Sequence, residues 1–224
     1  MRLVTVSVGM PQIVKTPDEG FVTTAIFKTP ITGPVQVNEM NLDGDAQADL
    51  RVHGGMYKAV YAYPTEHYEF WRGEYPNKTL EDAQFGENLA TEGLIETELF
   101  IGDRLRVGTA EFVVTQPRMP CYKLGIRFGE KDILRRFLQS RRSGFYLAVT
   151  KTGKIEAGDE IEILSRDENK VSVTDIVRVW VEDKDDFETM TRALSVESLP
   201  ESWKEPFRER IAKQQEELAA DLRG

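Results

Sequence analysis

Cysteine occurs once in these 224 residues, at Cys121. No intrachain disulfide can therefore form, and no iron–sulfur cluster or zinc site can be built from several thiolates of this chain. Histidine is almost as scarce: His53 and His67 are the only two, and neither stands in a His-Glu-x-x-His spacing. A conventional zinc hydrolase centre is thereby disfavoured. There is no Gly-x-Gly-x-x-Gly turn, P-loop or kinase signature, so nothing marks a nucleotide cofactor. Long apolar runs are missing too, with no stretch near the roughly 18 residues of a membrane span. Met1 to Val8 alternates as a strand does and lacks the apolar region of a secretion signal. These absences predict a soluble, cytoplasmic protein without membrane contact. Any metal it uses must arrive with other ligands of its own.

With 40% hydrophobic and 30% charged residues, the chain is ordinary globular material, enough for one large domain or one domain and an appendage. A net charge of −9 argues against nucleic acid as a partner. The charge is unevenly spread. Between Arg118 and Arg142 stand eight cations, Arg118, Lys123, Arg127, Lys131, Arg135, Arg136, Arg141 and Arg142, against Glu130 and Asp132. The single cysteine lies in this basic stretch, inside Gln116-Pro117-Arg118-Met119-Pro120-Cys121-Tyr122-Lys123-Leu124. Two readings are open: a small buried hydrophobe, or a thiolate favoured by Arg118 and Lys123 and aimed by flanking prolines. The cations likewise fit a solvated helix face or a site for an anion such as phosphate.

Through about residue 180 the signals are mostly short alternating strands punctuated by Gly, Pro, Asp and Asn. Arg104 to Val114 predicts a hairpin turning at Gly108-Thr109, and Phe145 to Leu164 another around Lys151 to Lys154. Many short strands with long excursions predict a mainly β fold, a closed or partly open β-barrel with peripheral helices. Helices are expected at Pro64 to Trp71 and at Glu130 to Gln139. Residues 181–224 predict a small three-helix domain after the barrel at 1–180, with helices near 186–194, 196–199 and 201–219. Asp186 and Ser195 are candidate caps. That tail carries seven Lys/Arg and twelve Asp/Glu, the wrong sign for a DNA reader.

Three further segments look shaped for a ligand: Thr24 to Pro30 with Lys28, Asp49 to Tyr63 with His53 and Lys58, and Phe85-Gly86-Glu87-Asn88-Leu89. Gly54-Gly55 allows main-chain amides to face an anion. Lys58 is expected on a strand among Ala59, Val60 and Tyr61, as an outward residue or a ligand-facing cation. His53 reads as a hydrogen-bonded turn residue, or as the base of a Cys121/His53 hydrolase that lacks any local signature.

Together Gln116-Pro117-Arg118, Pro120 to Leu124, Phe85 to Leu89, and Val52-His53-Gly54-Gly55 with Lys58-Ala59-Val60 closely resemble the MOSC domain in its bacterial YiiM-like branch. Residues 181–224 resemble the three-helix module that follows it there. The resemblance implies a barrel that binds the molybdenum cofactor, a pterin dithiolene bearing a phosphate, with Cys121 as the protein ligand to the metal. It places Arg118, Lys123, Lys58, His53, Asn88, Lys28 and Arg142 around the cofactor. It implies an oxidoreductase acting on N-hydroxylated compounds of the hydroxylamino-purine type, with His53 or a nearby cation assisting proton transfer. No flavin, haem or cluster site is visible, so a separate reductase would deliver electrons. A non-catalytic carrier, holding the cofactor or a persulfide on Cys121, is the alternative. A second copy of the chain is a candidate partner. Met56-Tyr57 and Ala90 depart from the family pattern.

Overall fold

The computed structural model describes residues 1–16, 18–48 and 54–221. In chain order its strands and helices are β1 (Arg2–Val8), β2 (Gln12–Lys15), β3 (Phe21–Thr24), β4 (Thr29–Pro30), β5 (Val35–Val37), β6 (Val60–Pro64), α1 (His67–Glu74), β7 (Leu89–Glu92), β8 (Arg104–Val107), β9 (Ala110–Pro117), α2 (Tyr122–Phe128), α3 (Ile133–Ser140), β10 (Phe145–Lys151), β11 (Gly153–Ile155), β12 (Ile161–Ser165), α4 (Val173–Val181), α5 (Phe187–Ser195) and α6 (Glu201–Asp221). None of the described helices is long and apolar enough to cross a membrane.

The alternating runs pair as one eight-stranded sheet in the order β12-β8-β9-β10-β6-β7-β1-β4, with two-stranded pairs β5–β11 and β2–β3 beside it. All neighbours are antiparallel except β6 and β7, which run parallel with Ala62 opposite Leu89. The fold is sheet-dominated, but the sheet has two ends in β12 and β4 and is not closed into the expected barrel. Only an isolated bridge, Arg2 to Glu160, and bonds such as Leu3 N to Asp159 O (2.9 Å) bring β1 to the turn before β12.

The hairpin at Gly108-Thr109 forms as predicted, pairing Arg104 with Val113. The one around Lys151 to Lys154 does not. β10 lies between β9 and β6, so both its edges are taken, and the chain beyond it crosses to pair β11 with β5 and β12 with β8. Helix α3 forms where expected but starts at Ile133, not at Glu130. Helix α1 starts at His67, later than the sequence suggests, because Pro64 is still the last residue of a strand.

The three C-terminal helices are not quite those expected. Val173 to Val181 has the β-branched texture of a strand, yet it is helix α4. Ser172 and Asp175 form a reciprocal capping box: Ser172 Oγ accepts from Asp175 N and Asp175 Oδ2 accepts from Ser172 N, both at 3.0 Å. Residues 196–199 make only a turn, since four residues before Pro200 are too few to nucleate a helix. Asp186 caps α5 as predicted, accepting from Thr189 N at 2.9 Å.

One buried cluster runs through sheet and tail alike, joining Leu3, Phe112, Val114 and Leu147 to Ile176, Met190, Leu199, Trp203 and Phe207. A second, aromatic cluster holds Tyr61, Tyr63, Trp71, Phe85, Phe128 and Phe137, with Tyr63 stacked on Phe85 at 4.4 Å between centroids. It clamps α1, α2 and α3 to the loop Phe85 to Asn88, and so fixes one wall of a cleft.

Candidate cofactor site

Strand β9 ends at Pro117 and hands the chain through Arg118, Met119 and Pro120 to Cys121, whose extended backbone (φ −126°, ψ 168°) precedes α2. The half-buried Cys121 opens onto a cleft of about 700 Å³, counting its mouth. Lys28, Lys58, Arg118 and Lys123 line the same cleft, with Tyr61, Tyr146, Asn88 and Gly86. Segments that are far apart in sequence converge here, as their glycines and polar groups suggested.

Arg118 is buried, donates its guanidinium to Phe85 O, and lies 4.7 Å from the Tyr61 ring centroid. Burial works against its charge, but Tyr61 and Tyr146 more than offset this and its pKa is raised. Burial likewise pushes the Tyr61 and Tyr146 hydroxyls up, keeping them neutral. The Phe85 carbonyl is presented by a turn at Gly86 (φ 77°), where an added Cβ would fall 2.6 Å from Ile26 Cγ1. Only glycine satisfies both the conformation and the contact.

Asn88 lines the cleft, but its amide belongs to the protein. Nδ2 donates to Ser7 O (3.2 Å) and Asp45 Oδ2 (3.0 Å), and Oδ1 accepts from Tyr61 N (3.1 Å). It positions walls more than it offers a ligand contact. Lys28 is buried against Asp45, which also accepts from Gly9 N at 2.9 Å. Burial lowers the Lys28 pKa, and Asp45 opposes that shift. Asp45 and the tyrosines Tyr61 and Tyr146 were not singled out in the sequence. A turn-rich Asp43-Gly44-Asp45 gives no local sign that one carboxylate reaches a lysine 17 residues away.

Lys58 is not on a strand. It ends a 3-10 turn, Met56–Lys58, whose Tyr57 carbonyl accepts from Thr115 Oγ1 (2.7 Å) and Gln116 Nε2 (3.3 Å). Half-burial lowers its pKa, while the Cys121 charge works the other way. Gly55 N is taken by Gln47 Oε1 at 3.0 Å, so that amide serves the turn. His53 lies outside the described residues. Arg142 is not in the cleft lining: its guanidinium sits 3.9 Å over the Phe70 ring. His67 is likewise elsewhere, buried with Nε2 2.7 Å from Glu96 Oε2.

Among the described residues no three His, Cys, Asp or Glu side chains gather to hold a metal ion. Four cations meet one carboxylate, Asp45, among the cleft's described lining residues. A single sulfur ligand amid surplus positive charge suits an anionic group that carries a soft metal with most of its ligands already in place. The donor set therefore fits a metal-pterin cofactor bearing a phosphate.

The chain belongs to the MOSC family: the MOSC domain is matched over residues 49–162. The YiiM-like, 3-alpha helix domain follows over residues 171–214, which puts the chain in the YiiM-like branch. YflK of Bacillus subtilis, an uncharacterized protein, is 39% identical over 205 residues, 92% of either chain. The crystal structure of YiiM from Geobacillus stearothermophilus superposes with a TM-score of 0.79 at 32% identity, covering 93% of this chain and 98% of that one. A protein of Gibberella moniliformis named reductase is 37% identical over 163 residues, 71% of this chain but 29% of its own length.

Proposed function

We propose that this chain is a molybdenum-cofactor-dependent reductase of N-hydroxylated compounds, of the hydroxylamino-purine type. The observation that carries the reading is the half-buried Cys121 thiol on a cleft with four lining cations and one lining carboxylate among the described residues. Cys121 would ligate the metal; Arg118, Lys123 and Lys58, with the Asp45-braced Lys28, would hold the phosphate and polar pterin. When bound, the cofactor would supply the two electrons that, with two protons from solvent, convert N–OH to N–H with release of water.

The chain's own contribution is placement. Arg118 is locked by Phe85 O and the Tyr61 face, so its charge is oriented before a ligand arrives. Tyr61 and Tyr146, held neutral, give the wall hydroxyls without adding negative charge. His53 stays a candidate proton donor on sequence grounds alone. A separate electron-donating reductase is the expected partner. The relative named reductase, in which the matching region is under a third of the chain, supports the reaction class.

The test is metal analysis of protein purified from cells that make the cofactor, wild type beside Cys121→Ser, followed by hydroxylamine reduction with an artificial electron donor. Wild type should carry molybdenum and turn over. The serine variant should lose nearly all of both, because its oxygen is hard and stays protonated near neutrality. Wild type without molybdenum or activity refutes the enzyme, and a sulfur adduct on Cys121 in its place favours the carrier.

A further inference from the structure

Tyr61 and Tyr146 both stand in the cleft wall, and the fold uses their hydroxyls differently. Tyr61 Oη donates to Ser143 O at 2.8 Å. Tyr146 Oη meets no acceptor among the described residues, and it is not sealed in either: the buried side-chain polar atoms left unpartnered among those residues are Thr91 Oγ1, Arg127 Nε and Arg192 Nε. The Tyr146 hydroxyl is therefore open to the cleft that the residue lines. Gln47 and Asn88, in the same lining, bond to the protein with their amides. We propose that Tyr146 is a catalytic residue, whose hydroxyl donates a hydrogen bond to the oxygen that leaves nitrogen. The assignment deepens the reductase reading and rests on it.

In the overall change R–NH–OH takes up two electrons and two protons and yields R–NH2 and water. The electron pair of the N–O bond departs with oxygen, so negative charge gathers on that atom before it is protonated. The phenol keeps its own proton, both protons of the balance coming from solvent, and its hydrogen bond stabilises the growing charge. A neutral hydroxyl holds an uncharged oxygen weakly and a charged one strongly, so its contribution falls in the transition state. The placement suits this role. Tyr146 pairs on β10 with Tyr61 of β6 on one side and Gln116 of β9 on the other. Its carbonyl accepts from Thr115 Oγ1 at 3.1 Å, and its ring centroid lies 5.2 Å from that of Tyr61. A donor on a strand flanked on both sides is oriented before the substrate arrives. Beyond Gln116 the exit of β9 presents Arg118 and Cys121, and the charges of both act on the Tyr146 hydroxyl. Burial, the largest influence, holds that hydroxyl above its ordinary pKa, so the donor keeps its proton at neutral pH.

The test is Tyr146→Phe, which keeps the ring and removes the oxygen, beside Tyr122→Phe, a residue 56% exposed and outside the cleft lining. No acceptor among the described residues loses its donor in Tyr146→Phe, so its urea midpoint and molybdenum content should match those of wild type. Its kcat for hydroxylamine reduction should fall about a hundredfold with KM little changed, the pattern of a group that acts in the transition state alone. A second readout needs no turnover: without an electron donor, the loaded protein is titrated with pyridine N-oxide, whose oxygen already carries negative charge, and with pyridine. Tyr146→Phe should bind the N-oxide about tenfold more weakly than wild type does, and pyridine equally well. Tyr122→Phe should behave as wild type throughout. Unchanged kcat or unchanged N-oxide affinity in Tyr146→Phe, or a wild type that does not bind the N-oxide, overturns the assignment. So does a joint loss of molybdenum and urea stability, which would make the hydroxyl structural. Failure of the reductase reading shows instead in wild type itself, as missing molybdenum or missing turnover, and takes this assignment with it.

Discussion

The indole Nε1 of Trp203 in α6 donates to Oε1 of Gln116 at the end of β9, 2.8 Å apart and buried. The other end of the same amide donates to Tyr57 O, one residue before Lys58. Ser198 Oγ adds a bond to Val114 O at 3.1 Å. The C-terminal helices thus brace the strand that delivers Arg118 and the turn that delivers Lys58, and they share the sheet's core. Trp203→Phe keeps an aromatic body but leaves Gln116 Oε1 buried without its donor, which should cost about 1–3 kcal/mol. Urea unfolding should remain a single transition with a lowered midpoint, and truncation before α4 should leave no cooperatively folded sheet. Two resolved transitions in wild type would contradict the shared core.

How much of this was legible beforehand depended on how local the signal was. Cys121, Arg118, Lys123, Lys58 and Lys28 were readable because each sits in a short motif of unusual composition, and the cleft gathers all five. Arg142 was placed by the resemblance alone, which carries position and not direction; the chain turns at Arg141 (φ 56°) and sends Arg142 to Phe70. Asp45 was invisible because its meaning lies in pairings with Lys28 and Asn88 made only by the fold. Helix α4 was not singled out because Val, Ile and Thr favour strands locally, while the capping box and burial of Val173, Ile176 and Val177 decide the outcome.

The Lys28–Asp45 pair predicts an asymmetry. Both side chains are almost wholly buried, and Asp45 also holds Gly9 N and Asn88 Nδ2. Lys28→Met or Asp45→Asn alone strands a buried partner and should cost about 3–5 kcal/mol, whereas the double variant should cost clearly less than the sum. A double-mutant cycle by urea denaturation reads this directly. Additive single effects would show that the two groups do not act as a pair.

Gly144 predicts a backbone-driven loss. It has φ 60°, and an added Cβ would stand 2.5 Å from Ala62 O and 2.8 Å from the Tyr61 ring. Gly144→Ala must therefore move the ring on which Arg118 rests, at a cost above about 1 kcal/mol. The check is a lowered urea midpoint together with reduced molybdenum content at saturating cofactor supply. Unchanged loading would separate the fold of this corner from the cofactor site.

Asp186 predicts a pH dependence of known sign. Burial alone would raise its pKa, but bonds from Thr189 N (2.9 Å), Thr189 Oγ1 (2.7 Å) and Arg178 Nη2 (2.6 Å) hold it down to about 2. In the unfolded chain an aspartate titrates near about 3.9. As pH falls below that value the unfolded state takes up the proton first, so the stabilisation is complete above about pH 4 and fades as pH approaches 2. The side chain is half-buried at the start of α5, and its worth is that of an ordinary helix cap, about 1 kcal/mol. Asp186→Ala should lower the urea stability by that amount at pH 7. The gap between variant and wild type should close as pH falls from about 4 toward 2, with the single unfolding transition retained. A gap that is constant across this range would mean that the Asp186 cap contributes through its hydrogen-bond geometry and not through its charge.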